Sequence, residues 1–228
     1  MDLNGFRVAA ECRAAGGLLG GDFYRLSPHA PGRIGVVIGD TCGQGARAAA
    51  YLAKVRPTLD ELAESNFSPA ELLSELNRVA SRTLPSDCFI TAAAFEFDAE
   101  GGVLTIANAG HVPGIVRGRS GIVSVVGNAS GPPLGIEPES KYENEYYELN
   151  RGDVVVMMTD GLLEAIEADL WSMKTVRGWL SQAPGEANSV HRLLLRKLDE
   201  CVARRFTDDV TLVTLEASYE APRISSLQ

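Results

Sequence analysis

The sequence has few basic residues, few histidines and no long apolar run. It contains 21 Lys and Arg against 30 Asp and Glu, a net charge of −9, and three His. Because no basic stripe is available to meet phosphates, this composition argues against a nucleic-acid partner. No apolar run approaches the roughly 18 residues of a membrane span, and Asp2, Arg7, Glu11 and Arg13 leave no core for a signal peptide. We therefore expect a cytoplasmic protein without a membrane segment.

The four cysteines are scattered, and they include no C-x-x-C pair. They lie at Cys12, Cys42, Cys88 and Cys201. In a chain with no export signal, this spacing predicts reduced thiols. Cys42 lies in a glycine-rich turn and has no His nearby in the sequence to activate it. This favours a small turn-filling residue over a nucleophile.

Length and pattern predict one α+β domain. The 228 residues, 45% hydrophobic and 22% charged, are ample for a single core. We expect the domain to span residues 1–217 and residues 218–228 to form a loose tail. Strands come first, then two helices, many strands, further helices and a last strand. This order is not the regular alternation of a parallel sheet, so we expect packed antiparallel sheets with helices on their outer faces.

Three local signals refine this prediction. Phe6–Ala14 and Phe23–Leu26 read as two strands, which we expect to pair with each other. The helix that begins at Gly45 meets Pro57, which should kink or end it. Ser68 and Glu71 have the spacing of a capping box, with Pro69 at the first helical position, and predict a second helix start.

Four carboxylates stand at strand ends beside small residues. Asp22 follows a glycine pair, while Asp40 and Asp160 follow apolar β-branched or methionine-rich runs, and Asp208 opens the final run. None has Lys, Arg or His as a sequence neighbour. If they converge in the fold, their uncompensated charge requires hard cations, because carboxylate oxygens suit Mg²⁺ or Mn²⁺.

Six segments, taken together, resemble the SpoIIE-type bacterial phosphatases of the metal-dependent protein phosphatase family, which is related to type 2C enzymes. The resemblance covers nearly the whole chain, from Phe6 to Leu215, and implies an αββα sandwich of two antiparallel sheets between helices. The segments are GGDFY (Gly20–Tyr24), GDTCGQG (Gly39–Gly45), NAGHVPGIV (Asn108–Val116), GPPLGI (Gly131–Ile136), GDVVVMMTDGLLEA (Gly152–Ala165) and DDVTLV (Asp208–Val213).

The resemblance implies two bound Mn²⁺ or Mg²⁺ ions. It makes Asp40 the ligand that bridges them, with the backbone carbonyl of Thr41 on the second ion and Asp160 and Asp208 on the first. Asp22 is then a further ligand or a group that holds a water. Asp40, Asp160 and Asp208 would form the catalytic centre.

The sequence by itself leaves one of these assignments open, since either Asp208 or Asp209 could be the ligand. The family pattern selects Asp208. The implied activity is hydrolysis of phosphoserine or phosphothreonine by a water activated between two metal ions. The implied substrate is an anti-anti-sigma (STAS-domain) or related partner-switching protein. Two alternatives remain: a catalytically weak fold that acts as a binding module, and a hydrolase of small phosphate esters.

This chain departs from the family pattern near the central turn. Relatives often carry His where this sequence has Gln44, or where it has Cys42, so a side-chain acid for the leaving oxygen is missing. Arg13 and Arg25 are the candidates for contacting the phosphate. We interpret His111 as a residue that fixes a loop rather than as a base. The resemblance also implies that the helical segment from Ala46 to Leu84 acts as a regulatory switch.

Overall fold

The computed structural model describes residues 1–3, 5–15, 20–166, 172–201 and 208–218. The strands are β1 (Asp2–Leu3), β2 (Phe6–Arg13), β3 (Phe23–Ala30), β4 (Arg33–Thr41), β5 (Ile90–Asp98), β6 (Val103–Ala109), β7 (Gly114–Arg117), β8 (Val123–Val126), β9 (Glu145–Glu148), β10 (Val154–Met158) and β11 (Val210–Ala217). The helices are α1 (Gly45–Ala63), α2 (Pro69–Thr83), α3 (Asp160–Ile166), α4 (Ser172–Ser181) and α5 (Ala187–Cys201).

The strands form two antiparallel sheets. One has six strands in the order β1-β2-β11-β10-β7-β8, and the other has five in the order β3-β4-β5-β6-β9. Every pairing between named strands is antiparallel. The α+β class and the two-sheet architecture predicted from the sequence are therefore confirmed.

Three apolar clusters separate four layers. The first lies between the sheets and includes Phe6, Ile34, Phe95 and Leu215, all buried. The second lies between α1, α2 and the five-stranded sheet, and the third lies between α3 to α5 and the six-stranded sheet. Each strand that is central to its sheet is thus covered on both faces, which is why β10 reads as a continuous apolar run.

The expected pairing of the first two long strands is wrong. β2 pairs with β11, for example Arg13 with Val210, whereas β3 pairs with β4, for example Phe23 with Gly39. The connection between β2 and β3 therefore crosses from one sheet to the other. Alternation along a strand specifies which side chains are buried but not which strand lies alongside, so the sequence pattern alone could not exclude the hairpin.

The two helices after β4 follow the prediction in part. The capping box is confirmed: Ser68 N–H donates to Glu71 Oε2 at 2.9 Å, and Ser68 Oγ accepts from the Glu71 N–H. Of the two outcomes expected at Pro57, a kink or an end, the end is excluded, because α1 runs through Pro57 as one helix. Val55 and Leu59 are buried on either side of Pro57, so packing on the sheet holds both halves of α1 in place.

One residue of the predicted tail, Ser218, belongs to the described part of the chain. Ser218 donates from its backbone N–H to the Gly5 carbonyl at 3.0 Å, so it stays bonded to the six-stranded sheet just past the end of β11. The rest of the predicted tail, 219–228, lies outside the described residues.

Within the described part of the chain, no helix has the length and apolar character needed to cross a bilayer.

Candidate metal centre

Four predicted carboxylates meet at one end of the sandwich. Asp22 precedes β3 and Asp40 is the penultimate residue of β4, so both belong to the five-stranded sheet. Asp160 begins α3 directly after β10, and Asp208 precedes β11, so both belong to the six-stranded sheet. Their negative charges act on one another across the gap between the sheets, because Asp160 raises the pKa of each of the other three.

The electrostatics of this cluster favour a cation. Burial, followed by the charges of Asp22, Asp160 and Asp208, raises the pKa of Asp40 to about 8. Burial also raises the pKa of Asp22 to about 7, against the opposing effect of a hydrogen bond from a threonine hydroxyl. Among the described residues, no Lys, Arg or His forms an ion pair with any of the four. The cluster holds more negative charge than the protein itself neutralises.

Glycine allows neighbouring segments on each side of the sandwich to approach closely enough to form the cluster. A Cβ on Gly21 would lie 2.7 Å from the Thr41 carbonyl oxygen and 2.9 Å from Asp40 Oδ1. A Cβ on Gly161 would collide with the Asp209 carbonyl oxygen. A side chain at Gly21 would therefore displace Asp40 and Thr41, and one at Gly161 would displace the backbone next to Asp208.

A threonine holds Asp22 from the opposite sheet. The Thr159 hydroxyl donates to Asp22 Oδ2 at 2.7 Å. Thr159 Oγ1 also accepts from the Thr211 N–H at 2.8 Å. The Thr159 N–H in turn donates to the Thr211 carbonyl at 3.0 Å. Sequence reasoning missed Thr159, although its place directly before Asp160 in the TDG segment was a usable signal.

The two adjacent acids before β11 have different environments. Asp209 is 7% exposed, and its two oxygens accept from the Ala15 and Gly21 N–H groups, both at 2.8 Å. Asp208 is half-buried and accepts one bond, at 2.8 Å, from the Asp209 N–H. Asp209 is therefore engaged in holding the β2–β3 connection, which leaves Asp208 as the carboxylate available to an ion.

The donors fit Mg²⁺ or Mn²⁺ completed by water better than a closed protein cage. In the described ranges, no three His, Cys, Asp or Glu side chains lie close enough together to hold one ion among them. Mg²⁺ usually keeps several waters and takes one or two carboxylates from the protein. Asp40, Asp160, Asp208 and the Thr41 carbonyl are all hard oxygen donors, as this chemistry requires.

His111 lies behind the centre rather than in it. It is 6% exposed, with Nδ1 2.9 Å from Thr91 Oγ1, and Thr91 pairs with Asp40 in the sheet. The His111 N–H donates to Asn108 Oδ1 at 2.7 Å. Burial lowers the pKa of His111 to about 4, so the ring is neutral at pH 7. These contacts agree with its interpretation as a loop-fixing residue.

The two arginines considered for phosphate contact are both held by acids. Arg13 pairs with Glu11 at 2.5 Å and with Asp199 at 2.6 Å. Its guanidinium is thus engaged by residues of β2 and α5. Arg13 is therefore a weaker candidate in the fold than it was in the sequence.

Arg25 is tied to α1, with Asp60 at 3.2 Å and Glu64 at 2.7 Å. It also lines an open cleft of about 460 Å³ that begins at Asp22 and runs along α1. Unlike Arg13, it borders space next to the carboxylates. The cleft is lined by Cys12, Asp22, Phe23, Tyr24, Arg25, Leu26, Leu52 and Arg56.

Comparison with known proteins identifies the family. The family described as Stage II sporulation protein E (SpoIIE) matches residues 30–218. Stage II sporulation protein E of Bacillus subtilis is 24% identical over 223 residues, which is 96% of this chain and 26% of that protein. Phosphoserine phosphatase RsbU of Bacillus subtilis is 29% identical over 146 residues, which is 64% of this chain and 43% of that protein. The chain spans less than half the length of either relative.

Solved structures share the fold. The RsbU and RsbW domains of a Mycobacterium tuberculosis protein superpose with a TM-score of 0.83 at 25% identity, over 96% of this chain and 61% of that one. RsbX in complex with magnesium superposes with a TM-score of 0.71 at 18% identity, over 93% of this chain and 96% of that one. This chain and both of these structures thus share the αββα sandwich. Since the family match extends over most of the chain, this protein belongs to the SpoIIE family.

Proposed function

We propose that this protein is a serine/threonine protein phosphatase that depends on two Mn²⁺ or Mg²⁺ ions. The observation that carries the proposal is the cluster of Asp22, Asp40, Asp160 and Asp208, four acids from two sheets with no cation paired to them among the described residues. The likeness to a phosphoserine phosphatase and to a magnesium-bound relative supports the same chemistry. One domain, residues 1–217, would carry the activity in the cytoplasm.

In this proposal each residue of the cluster has a positioning or binding role. Asp40 would hold both ions, the Thr41 carbonyl would hold the second, and Asp160 and Asp208 would hold the first. Asp22 completes the centre, oriented by the hydroxyl of Thr159. When bound, the two ions would activate a water for attack on phosphorus and neutralise charge on the transferring phosphoryl group.

Among the described residues, the candidates for an acid at the leaving oxygen do not fit that role. His111 is buried, neutral and bonded to Thr91, and Gln44 lies at the N-cap of α1 with no side-chain capping bond. We therefore expect the leaving oxygen to take its proton from water. A protein nucleophile and a phosphoenzyme are not needed.

The proposed substrate is a phosphorylated STAS-domain protein of a partner-switching pathway. The open cleft beside Asp22 supports a substrate that approaches from the surface, because it is bordered by α1 and its lining includes Arg25 and Arg56. An extended phosphorylated segment could lie along such a cleft, whereas a small ester would leave most of it unfilled. The name of RsbU supports phosphoserine as the group attacked.

The test is phosphate release from candidate phosphorylated STAS proteins of the same genome, with Mn²⁺ and with chelator. We expect release with Mn²⁺, little without it, and much slower release from a small aromatic phosphate. Asp208→Asn is the inactive control. Full activity after exhaustive chelation would overturn the two-metal mechanism. Tight binding of the phosphoprotein without turnover would support the binding-module alternative instead.

A further inference from the structure

Cys42 and Cys88 lie in contact although they are far apart in the sequence. Their Sγ atoms are 2.9 Å apart, and Cys88 is 3% exposed while Cys42 is half-buried. The backbone sets both positions. The Cys42 N–H donates to the Phe89 carbonyl at 3.0 Å, the Phe89 N–H donates to Cys42 Sγ at 3.3 Å, and the Cys88 N–H donates to the Pro85 carbonyl at 3.0 Å.

The pair occupies the base of the α1–α2 helical pair. Cys42 directly follows Thr41, the last residue of β4, and precedes α1. Cys88 lies between the end of α2 and the start of β5. A covalent bond between the two sulfurs would therefore close the segment that contains both helices into a loop. It would also anchor that segment beside the turn that carries Asp40.

We propose that Cys42 and Cys88 form a reversible disulfide, which makes this pair an oxidation site that fixes the base of the α1–α2 pair. A disulfide bond is about 2.05 Å long, so the sulfurs need to approach by only about 0.9 Å from their present separation. The backbone hydrogen bonds around both cysteines hold the two sulfurs in this position.

The oxidant belongs to the class of small-molecule disulfides, such as oxidised glutathione. Cys42, the more exposed sulfur, attacks the oxidant, whose S–S bond breaks to give a mixed disulfide and one released thiol. Cys88 then attacks the Cys42 sulfur and releases the second thiol. Two electrons pass from the protein to the oxidant, and the two protein thiol hydrogens end on the two released thiols.

Cys12 provides the comparison within the same chain. It is exposed, lies on β2 of the other sheet, and is a free cysteine. If exposure alone decided reactivity, Cys12 would be the first cysteine to be modified and would retain the oxidant as a mixed disulfide. The proximity of Cys88 predicts instead that Cys42 passes through the mixed disulfide and does not retain it.

The test uses a Cys12→Ser/Cys201→Ser variant, which keeps only the pair. The folded protein is incubated with oxidised glutathione, its free thiols are blocked, and its peptides are analysed by mass spectrometry. We expect loss of both titratable thiols, no retained glutathione, and a linked peptide that dithiothreitol separates. The oxidised form should also unfold at a higher temperature than the reduced form, since closing a loop restricts the unfolded chain.

Cys42→Ser in the same background is the matched control and should give no link and no shift in unfolding temperature with oxidant. Thiols that stay free, or a stable glutathione adduct in place of the link, would overturn the proposal. The same linked peptide should form in the wild-type protein, so the result does not depend on how the variants fold. Because these readouts need no turnover, a failure of the proposed phosphatase activity would leave the disulfide inference intact, and the reverse also holds.

Discussion

Asp209 accepts a 2.8 Å hydrogen bond from the backbone N–H of Gly21, and this bond joins the last strand of one sheet to the first residues of the other. Asp22, the next residue, is thereby held within reach of Thr159 and of the other acids. Asp209, which the sequence alone left as a possible ligand, thus stabilises the centre through hydrogen bonds from the backbone.

Replacing Asp208 and Asp209 by Asn, one at a time, should distinguish the proposed metal ligand from the residue that holds the β2–β3 connection. Asp208→Asn should abolish phosphate release with little change in stability. Asp209→Asn keeps one acceptor and faces the other N–H with an amide group, so we expect a loss of about 1–3 kcal/mol in the free energy of unfolding. Urea unfolding in chelator and phosphate release measure the two effects. Equal stability of the two variants would contradict the distinct roles.

Asp160→Asn should remove activity without weakening the metal-free fold. The side chain is exposed at the start of α3, and its charge raises the pKa of both Asp22 and Asp40. Losing one electrostatic contact to a developing charge typically costs on the order of 10²–10³ in rate. Removing one of several clustered charges should leave the unfolding temperature in chelator no lower than that of the wild type. Asp87→Asn, at an exposed acid paired with Arg47, is the control and should keep full activity.

Stability of the metal-free protein should fall as pH rises from about 4 to about 8. Burial and neighbouring charges raise the pKa of Asp22 to about 7 and that of Asp40 to about 8, against an ordinary value of 3.8. In this window the folded state keeps protons that the unfolded state has released, so rising pH favours unfolding. The measurement is the free energy of unfolding in chelator across this range, compared with Asp40→Asn, which should show a shallower fall. Identical slopes for the two proteins would count against the raised pKa.

Saturating Mn²⁺ should reverse the fall of the free energy of unfolding with rising pH. A cation replaces the retained protons, so the stabilisation by metal should grow with pH over the same window. A metal effect that is constant from pH 5 to 8 would argue that the ion binds elsewhere.

The Arg25 contacts should tune metal affinity through α1. Arg25 lies three residues after Asp22 and pairs with Asp60 and Glu64 near the end of the helix whose start follows Asp40. Arg25→Ala should weaken Mn²⁺ binding, read as a higher concentration for half-maximal activity, while stability changes by less than about 1 kcal/mol. Arg78→Ala removes an exposed pair with Glu75 within α2 alone and is the control. Equal Mn²⁺ concentrations for half-maximal activity in the two variants would contradict regulation through the Arg25 contacts.

Local features were predictable from neighbouring residues. The capping box of α2 follows from the spacing of Ser68 and Glu71, and the buried β10 follows from an unbroken apolar run. The helix does not end at Pro57, because packing of Val55 and Leu59 outweighs a local helix breaker. The β2–β3 pairing failed because each strand carries the same kind of alternation whichever partner it takes.

By itself, the sequence determined the α+β class, the family, and the set of acids that could bind metal, since these depend on residue type and short-range spacing. Only the tertiary structure decided that Asp208 is available while Asp209 is bonded to Ala15 and Gly21. It also brought Cys42 to Cys88 across the α1–α2 pair. The physical reason is that such pairs meet only once two sheets pack, and long-range packing depends on the whole core rather than on any one segment.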